Sequence, residues 1–169
     1  GHGQDQAAAA RLLAALQQPS PPLSPDEGLV AAQVLLEHQF AVQHFGGFDG
    51  LANAVDHAPR FDQASPLMRA RWLLTYGYAQ HHTGRPAPAD QAWHRALAIA
   101  VPAGLSALAL KTTLALARGH LQRGDVDAAQ AIIDGVQPQW GAGRAAQLME
   151  LQQLRARVQL LRGRAAASC

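Results

Sequence analysis

A single cysteine, Cys169, leaves no possibility of an internal disulfide framework and fits a reducing compartment, so a cytoplasmic location is expected. No apolar run approaches the roughly 18–20 residues that cross a bilayer, and no signal-peptide pattern is visible. Aromatic residues make up only 5%, and β-branched residues are few beside alanine and leucine, a balance that favours helices over sheets. Lysine is nearly missing: Lys111 stands against 13 arginines. The formal net charge is nevertheless only +2, too small to imply a nucleic-acid partner, although it leaves room for one basic face. Eight histidines occur without a His-Glu-x-x-His pattern or a cysteine pair at zinc spacing, so no metal site is expected. Gly46 to Gly50 is no phosphate loop, because the Lys-Ser/Thr that should follow is missing. With no catalytic triad, paired-carboxylate site or nucleophile elbow, neither an enzyme nor a bound cofactor is expected.

What the chain does have is repetition. Residues 114–134 read as two amphipathic helices hinged at Arg123-Gly124-Asp125. Leu114, Leu116 and Leu121 supply one apolar stripe, and Val126, Ala129, Ile132 and Ile133 the other. Gly124 suits a left-handed helix end, and Asp125 can cap the helix that follows. Similar turns are expected at Gly46, Gly84 and Gly163, which gives intervals of 38, 40 and 39 residues. Pro66, Pro102 and Pro138, 36 residues apart, mark helix starts, where the missing donor of proline costs least. A period in this range signifies stacked helical hairpins.

Along the chain, Gly1-His2 reads as a tag remnant, followed by a short helix over residues 5–17; together they make up an N-terminal piece, 1–18. Residues 19–25 form a proline-rich linker. Residues 26–169 form the repeat domain. Ser24-Pro25-Asp26-Glu27 is a capping-box start for a helix reaching about Phe45, with a partner helix over 48–58. Ser65-Pro66 begins a helix to about His82. A turn is expected over 83–88, then a partner helix carrying Ala89, Trp93, Ala96 and Leu97. Helices over 103–123 and 125–136 follow, then a break over 138–143, and a last helix from about Arg144 to Arg162. Trp93 and Trp72 are expected in the core. Trp140, in a loop, is expected to fold back on the last helix and to matter less than Trp93. His44 and His82, near helix ends, are expected to meet terminal carbonyls.

The hairpins resemble tetratricopeptide (TPR) repeats. Gly77, Ala89, Trp93 and Ala96 fall at that family's small and large positions in the second hairpin, and Ala117, Ala129, Ile133 and Val136 do so in the third. In the first hairpin, Gln39 or Phe40 falls where a small residue belongs. The repeat is longer than the usual ~34 residues, which resembles the long-repeat variety in bacterial regulators and signalling proteins. The resemblance covers roughly residues 28–163. It implies an all-α fold, an α-solenoid of about three antiparallel hairpins plus a terminal helix wound as a right-handed superhelix.

It also implies partner binding. In such solenoids the first helix of each pair lines a concave groove. The expected groove residues are Phe40, Arg71, Tyr78, His82, Lys111, Arg118 and Arg157, with Leu74, Leu114 and Ala115 beside them and Gln33, Glu37, Glu150 and Gln153 farther out. One row would read Phe40, Tyr78, Arg118, Arg157. Aromatic residues among arginines suit an extended or helical segment bearing acidic groups, since guanidinium forks pair carboxylates. The expected role is a regulatory protein-interaction module in a larger signalling or transcription protein. The alternative is a sensor holding a small signal molecule or signal peptide in the groove. A homodimer through the terminal helices is a third arrangement. Neither nucleic acid nor membrane is an expected partner.

Overall fold

The structure, a computed structural model, describes Arg11, Ala14 and residues 23–58 and 61–168. Of the helix expected over 5–17, only Arg11 and Ala14 fall within it, both helical; the rest of that helix and most of the linker lie outside the described residues. The described elements are α1 (Pro25–Ala41), α2 (Gly47–Asp56), a 3-10 turn (Phe61–Gln63), α3 (Pro66–His82), α4 (Pro86–Ala100), α5 (Ser106–Gln122), α6 (Val126–Asp134), a second 3-10 turn (Pro138–Gly141) and α7 (Ala145–Ala167). The fold is all-α, with no strand among the described residues. No helix among them is long and apolar enough to cross a membrane.

Local chemistry explains three of the starts. Glu27 donates its N–H to Ser24 Oγ at 3.2 Å while Ser24 N–H reaches Glu27 Oε1 at 3.3 Å, so the capping box forms and Pro25 sits where its missing donor is harmless. Ser65 caps α3 in the same way, through Met68 N–H at 3.3 Å. Pro86 and Pro88, expected to lie in a turn, instead occupy the first turn of α4, where no intrahelical donor is required. Asp125 does stand at the start of α6, but its side chain caps nothing there. Its carboxylate lies 3.4 Å from His120 Nδ1 and 3.8 Å from Arg123 Nε, which draw it away from the helix amides.

The helix ends correct the expected repeat. Gly84 and Gly124 lie in the left-handed region, with φ of 77° and 80°. Each donates to the carbonyl three residues back, and the next residue donates to the carbonyl five back: Arg85 to Gln80 at 3.0 Å, Asp125 to His120 at 2.8 Å. The same pattern closes α1, but around Gln43 (φ 58°), with His44 bonded to Gln39 at 2.8 Å. Helix α1 therefore stops at Ala41, not near Phe45, and Gly46 is a right-handed residue that opens α2. Gly163 makes no turn at all and lies inside α7. A glycine in mid-helix costs only about 1 kcal/mol relative to alanine, which neighbouring turns can absorb.

The chain divides into two compact units, Gly1–Ala92 and Trp93–Cys169, with the boundary inside α4. In unit 1, α1, α2 and α3 pack on one another. Leu29, Ala32, Leu35, Leu36 and Gln39 form the inward face of α1, and Phe48, Leu51, Ala54 and Val55 that of α2. Trp72 is buried and stacks on Tyr76, ring centroids 5.8 Å apart. In unit 2, α5 contacts α6, α7 and the second 3-10 turn. Buried residues run almost all round α5, from Ala109 to Leu121, which makes it the central helix of its unit. Thr112 tolerates burial because its hydroxyl donates to Leu108 O at 2.7 Å. Trp140 is buried in its 3-10 turn. Helix α4 buries Ala89, Ala92, Trp93, Ala96 and Ala100, one stripe at helical spacing.

Candidate interaction surface

Counting back from each left-handed residue aligns the first helices of the hairpins. Seven residues before Gly84 and Gly124 stand Gly77 and Ala117, both buried small residues. Seven before Gln43 stands Leu36, also buried, so the small position of the first hairpin holds a large residue and is neither Gln39 nor Phe40. Four before each lie Gln39, Gln80 and His120, polar groups tucked under their turns. The same count makes Glu37 the counterpart of Tyr78 and Arg118, so the expected row led by Phe40 was drawn three residues out of register.

The expected site residues scatter in burial. Within unit 1, Phe40 and His82 are exposed and meet edge to face with centroids 5.9 Å apart, so His82 faces a ring rather than capping its helix. Phe40 also lies 5.9 Å from Phe45, which reaches on to Phe48 at 5.8 Å. Phe45 and Val42 are exposed beside Phe40, and Val30 and Val34 are exposed along α1. The sequence reading named Phe40 but placed none of the other four on a binding face. Arg71 is exposed and Tyr78 half-buried. Leu74 is buried and lines no groove.

Within unit 2, Lys111 and Arg157 are exposed, whereas Leu114 and Ala115 are buried core residues. Arg118 is paired with Glu150 of α7, so its charge is largely met inside the unit. Gln153 is exposed on α7.

One polar cluster was not foreseen. Asp49, in the first turn of α2, accepts from Arg85 Nη1 at 3.1 Å on both oxygens and from Gln80 Nε2 at 3.3 Å. Gln80 Nε2 also donates to the Tyr76 hydroxyl at 2.6 Å, and that hydroxyl lies 3.5 Å from Asp49 Oδ1. Burial raises the Tyr76 phenol above its ordinary value of 10; the Gln80 bond and the Arg85 charge oppose this, and Asp49 adds to it. The cluster ties the α3–α4 turn to the start of α2. A carboxylate at a helix N-terminus is favourably placed, so a structural clasp accounts for it fully. Histidine behaves likewise at His57, whose Nδ1 meets Asn53 O at 2.8 Å near the end of α2. No group of three or more His, Cys, Asp or Glu side chains able to hold a metal occurs among the described residues.

The chain matches no protein-family model, no curated protein and no solved structure.

Proposed function

We propose that the chain is a TPR-like helical-repeat module that binds a peptide or partner helix through the first helices of its hairpins. One observation carries the reading: the first helix of each hairpin closes in the same left-handed turn, with the same pair of backbone bonds, at Gln43, Gly84 and Gly124, 41 and 40 residues apart, a turn that α4 shares at Gly104. Hairpins repeated at such a period stack as a solenoid and leave one helix of each pair free to meet a ligand. Unit 1 offers exposed Phe40 on α1, Phe45 in the turn that follows it, and His82 and Arg71 on α3. Unit 2 offers Lys111 on α5. Apolar anchors beside cations suit a segment that mixes apolar and acidic residues.

Selection from a displayed peptide library, with the intact chain as bait, tests this. Enriched peptides should combine acidic and large apolar residues. Phe40→Ala should weaken them about tenfold at any salt concentration, and Arg71→Glu should weaken them in a way that fades as salt rises. A library that returns no binder, or binders indifferent to both substitutions, overturns the reading. Thermal stabilisation by a small molecule but by no peptide would move the function to the sensing alternative.

A further inference from the structure

Helices α1 and α3 run side by side in the same direction. Near their starts Ser65 donates its N–H to Asp26 Oδ1 at 2.7 Å, and near their ends Phe40 meets His82. This pairing agrees with the count from the left-handed residues Gln43 and Gly84, which sets Val30 level with Arg71 and Glu37 level with Tyr78. Val30, Val34, Glu37 and Ala41 share one exposed face of α1, and Leu67, Arg71 and His82 share one of α3. Six of the ten large apolar side chains exposed among the described residues belong to unit 1. Val30 (49%), Val34 (60%) and Leu67 lie on this face, Phe40 at its edge, and Val42 and Phe45 in the turn after α1. Bare apolar groups gathered in this way mark a contact surface. Neither Glu37 nor Arg71 meets an ion pair among the described residues.

Symmetry and charge decide what covers this surface. When α1 of a second copy lies antiparallel on α1 and crosses it at Val34, a twofold axis runs within the interface. Val34 then meets its own counterpart, and Phe40 and Val42 come level with Leu67 of the second copy. Glu37 comes within one residue, about 1.5 Å along the helix, of the level of Arg71 of the second copy, and the twofold repeats the pair. Like charges do not meet: Glu27 falls level with Ala41, and Arg71 with Ala79. Parallel pairing, in contrast, sets Glu37 on Glu37. The overlap spans about 24 Å along two helices each about 10 Å wide, roughly 1,000 Å2 over both copies, the lower bound for a specific interface.

We propose that unit 1 pairs with unit 1 of a second copy through this face, as a twofold dimer held by apolar contact around Val34 and by two Glu37–Arg71 ion pairs. The proposal rests on the interaction-module reading and names its partner helix: α1 of another copy is itself a segment that mixes apolar and acidic residues. A contact of this size is reversible, so the dimer should form at micromolar concentrations.

Analytical ultracentrifugation of the intact chain from about 1 to about 200 μM tests it. Monomer should give way to dimer across that range, and Val34→Glu should raise Kd at least about tenfold. Glu37→Arg and Arg71→Glu should each do the same, because each sets like charges across the twofold. Mixed in equal amounts, these two variants should pair with each other about as tightly as the unaltered chain does with itself, since every contact between the two positions again joins an acid to a base. Arg164→Glu, in unit 2, should change Kd less than about twofold. Circular dichroism establishes that each variant keeps its helices. The proposal is overturned by a monomer at every concentration, by a dimer indifferent to Val34→Glu, or by charge variants that stay monomeric when mixed. A dimer that Leu160→Glu dissolves overturns it too, because the contact then belongs to α7. Library peptides that bind a chain monomeric throughout would sink the dimer and leave the interaction module standing, so the two failures are distinguishable.

Discussion

In unit 1 a 17-residue helix, a 10-residue helix, a 3-10 turn and another 17-residue helix follow one another; unit 2 runs 17, 9, a 3-10 turn and 23. The materials that fill this common order differ. Unit 1 relies on Phe48 and Trp72 and on the Asp49–Tyr76–Gln80–Arg85 clasp. Unit 2 wraps a nearly all-buried α5 in leucine, alanine and isoleucine, and joins α7 to its neighbours by Arg118–Glu150 and Arg162–Asp127. Unit 1 ends its first helix on glutamine in a left-handed conformation, unit 2 on glycine. Order is thus set by helix caps and turns, while any core of adequate volume can fill it.

The largest effects should come from the aromatic cores. Trp72→Ala and Trp140→Ala, one in each unit, should each cost about 3–5 kcal/mol, read as a shift in the urea midpoint. Because Trp140 proves to be buried, it belongs with Trp72 and not among expendable loop residues. A negligible cost for Trp140→Ala would show that the core of unit 2 does not depend on its 3-10 turn.

The turns come next. Gly124→Ala should destabilise by about 1–2 kcal/mol, since a Cβ is strained at positive φ although no atom blocks it. Gln43→Gly should go the other way and stabilise by up to about 1 kcal/mol, making the first turn like the others. Equal signs for the two would remove Gln43 from the series of repeat turns.

The clasp of unit 1 predicts a pH dependence. The Tyr76 phenol is raised in the folded chain, so above pH about 10 the unfolded chain loses this proton first. Stability tied to the neutral phenol is therefore complete below the unfolded value and is lost as pH rises through the folded one. Tyr76→Phe should flatten that alkaline decline, measured as urea midpoints at about pH 8 and about pH 10.5. An unchanged decline would sink the assignment. The smallest effect belongs to unit 2: Asp127 is almost fully exposed, so Asp127→Ala should change stability by less than about 0.5 kcal/mol despite the 2.7 Å contact with Arg162.

Helix starts were legible because they are written in adjacent residues: Ser24 with Pro25 and Glu27, Ser65 with Pro66. Helix ends were legible at Gly84 and Gly124, where glycine holds the left-handed position. They were not at Gly104, which also holds it, closes α4 and delays to Ser106 the helix expected from 103. At Gln43 the signal was missing, and at Gly163 it was present without effect. That single three-residue error at the first turn put Phe40 in the row where Glu37 belongs. The candidate surface suffered most, since one residue of register rotates a helix by about 100°.

By itself the sequence determined helix content, the approximate order of helices and the buried stripes around Trp93, Ala117 and Ile133, because propensity, capping and periodicity act over a few neighbouring residues. Tertiary structure alone decided that Ala115 is core, that Arg118 is held by Glu150, and that Met149 and Leu160 stay bare. Those outcomes depend on which of several apolar or charged faces a neighbouring helix covers. That choice compares packing energies across residues distant in the chain, and no local pattern encodes it.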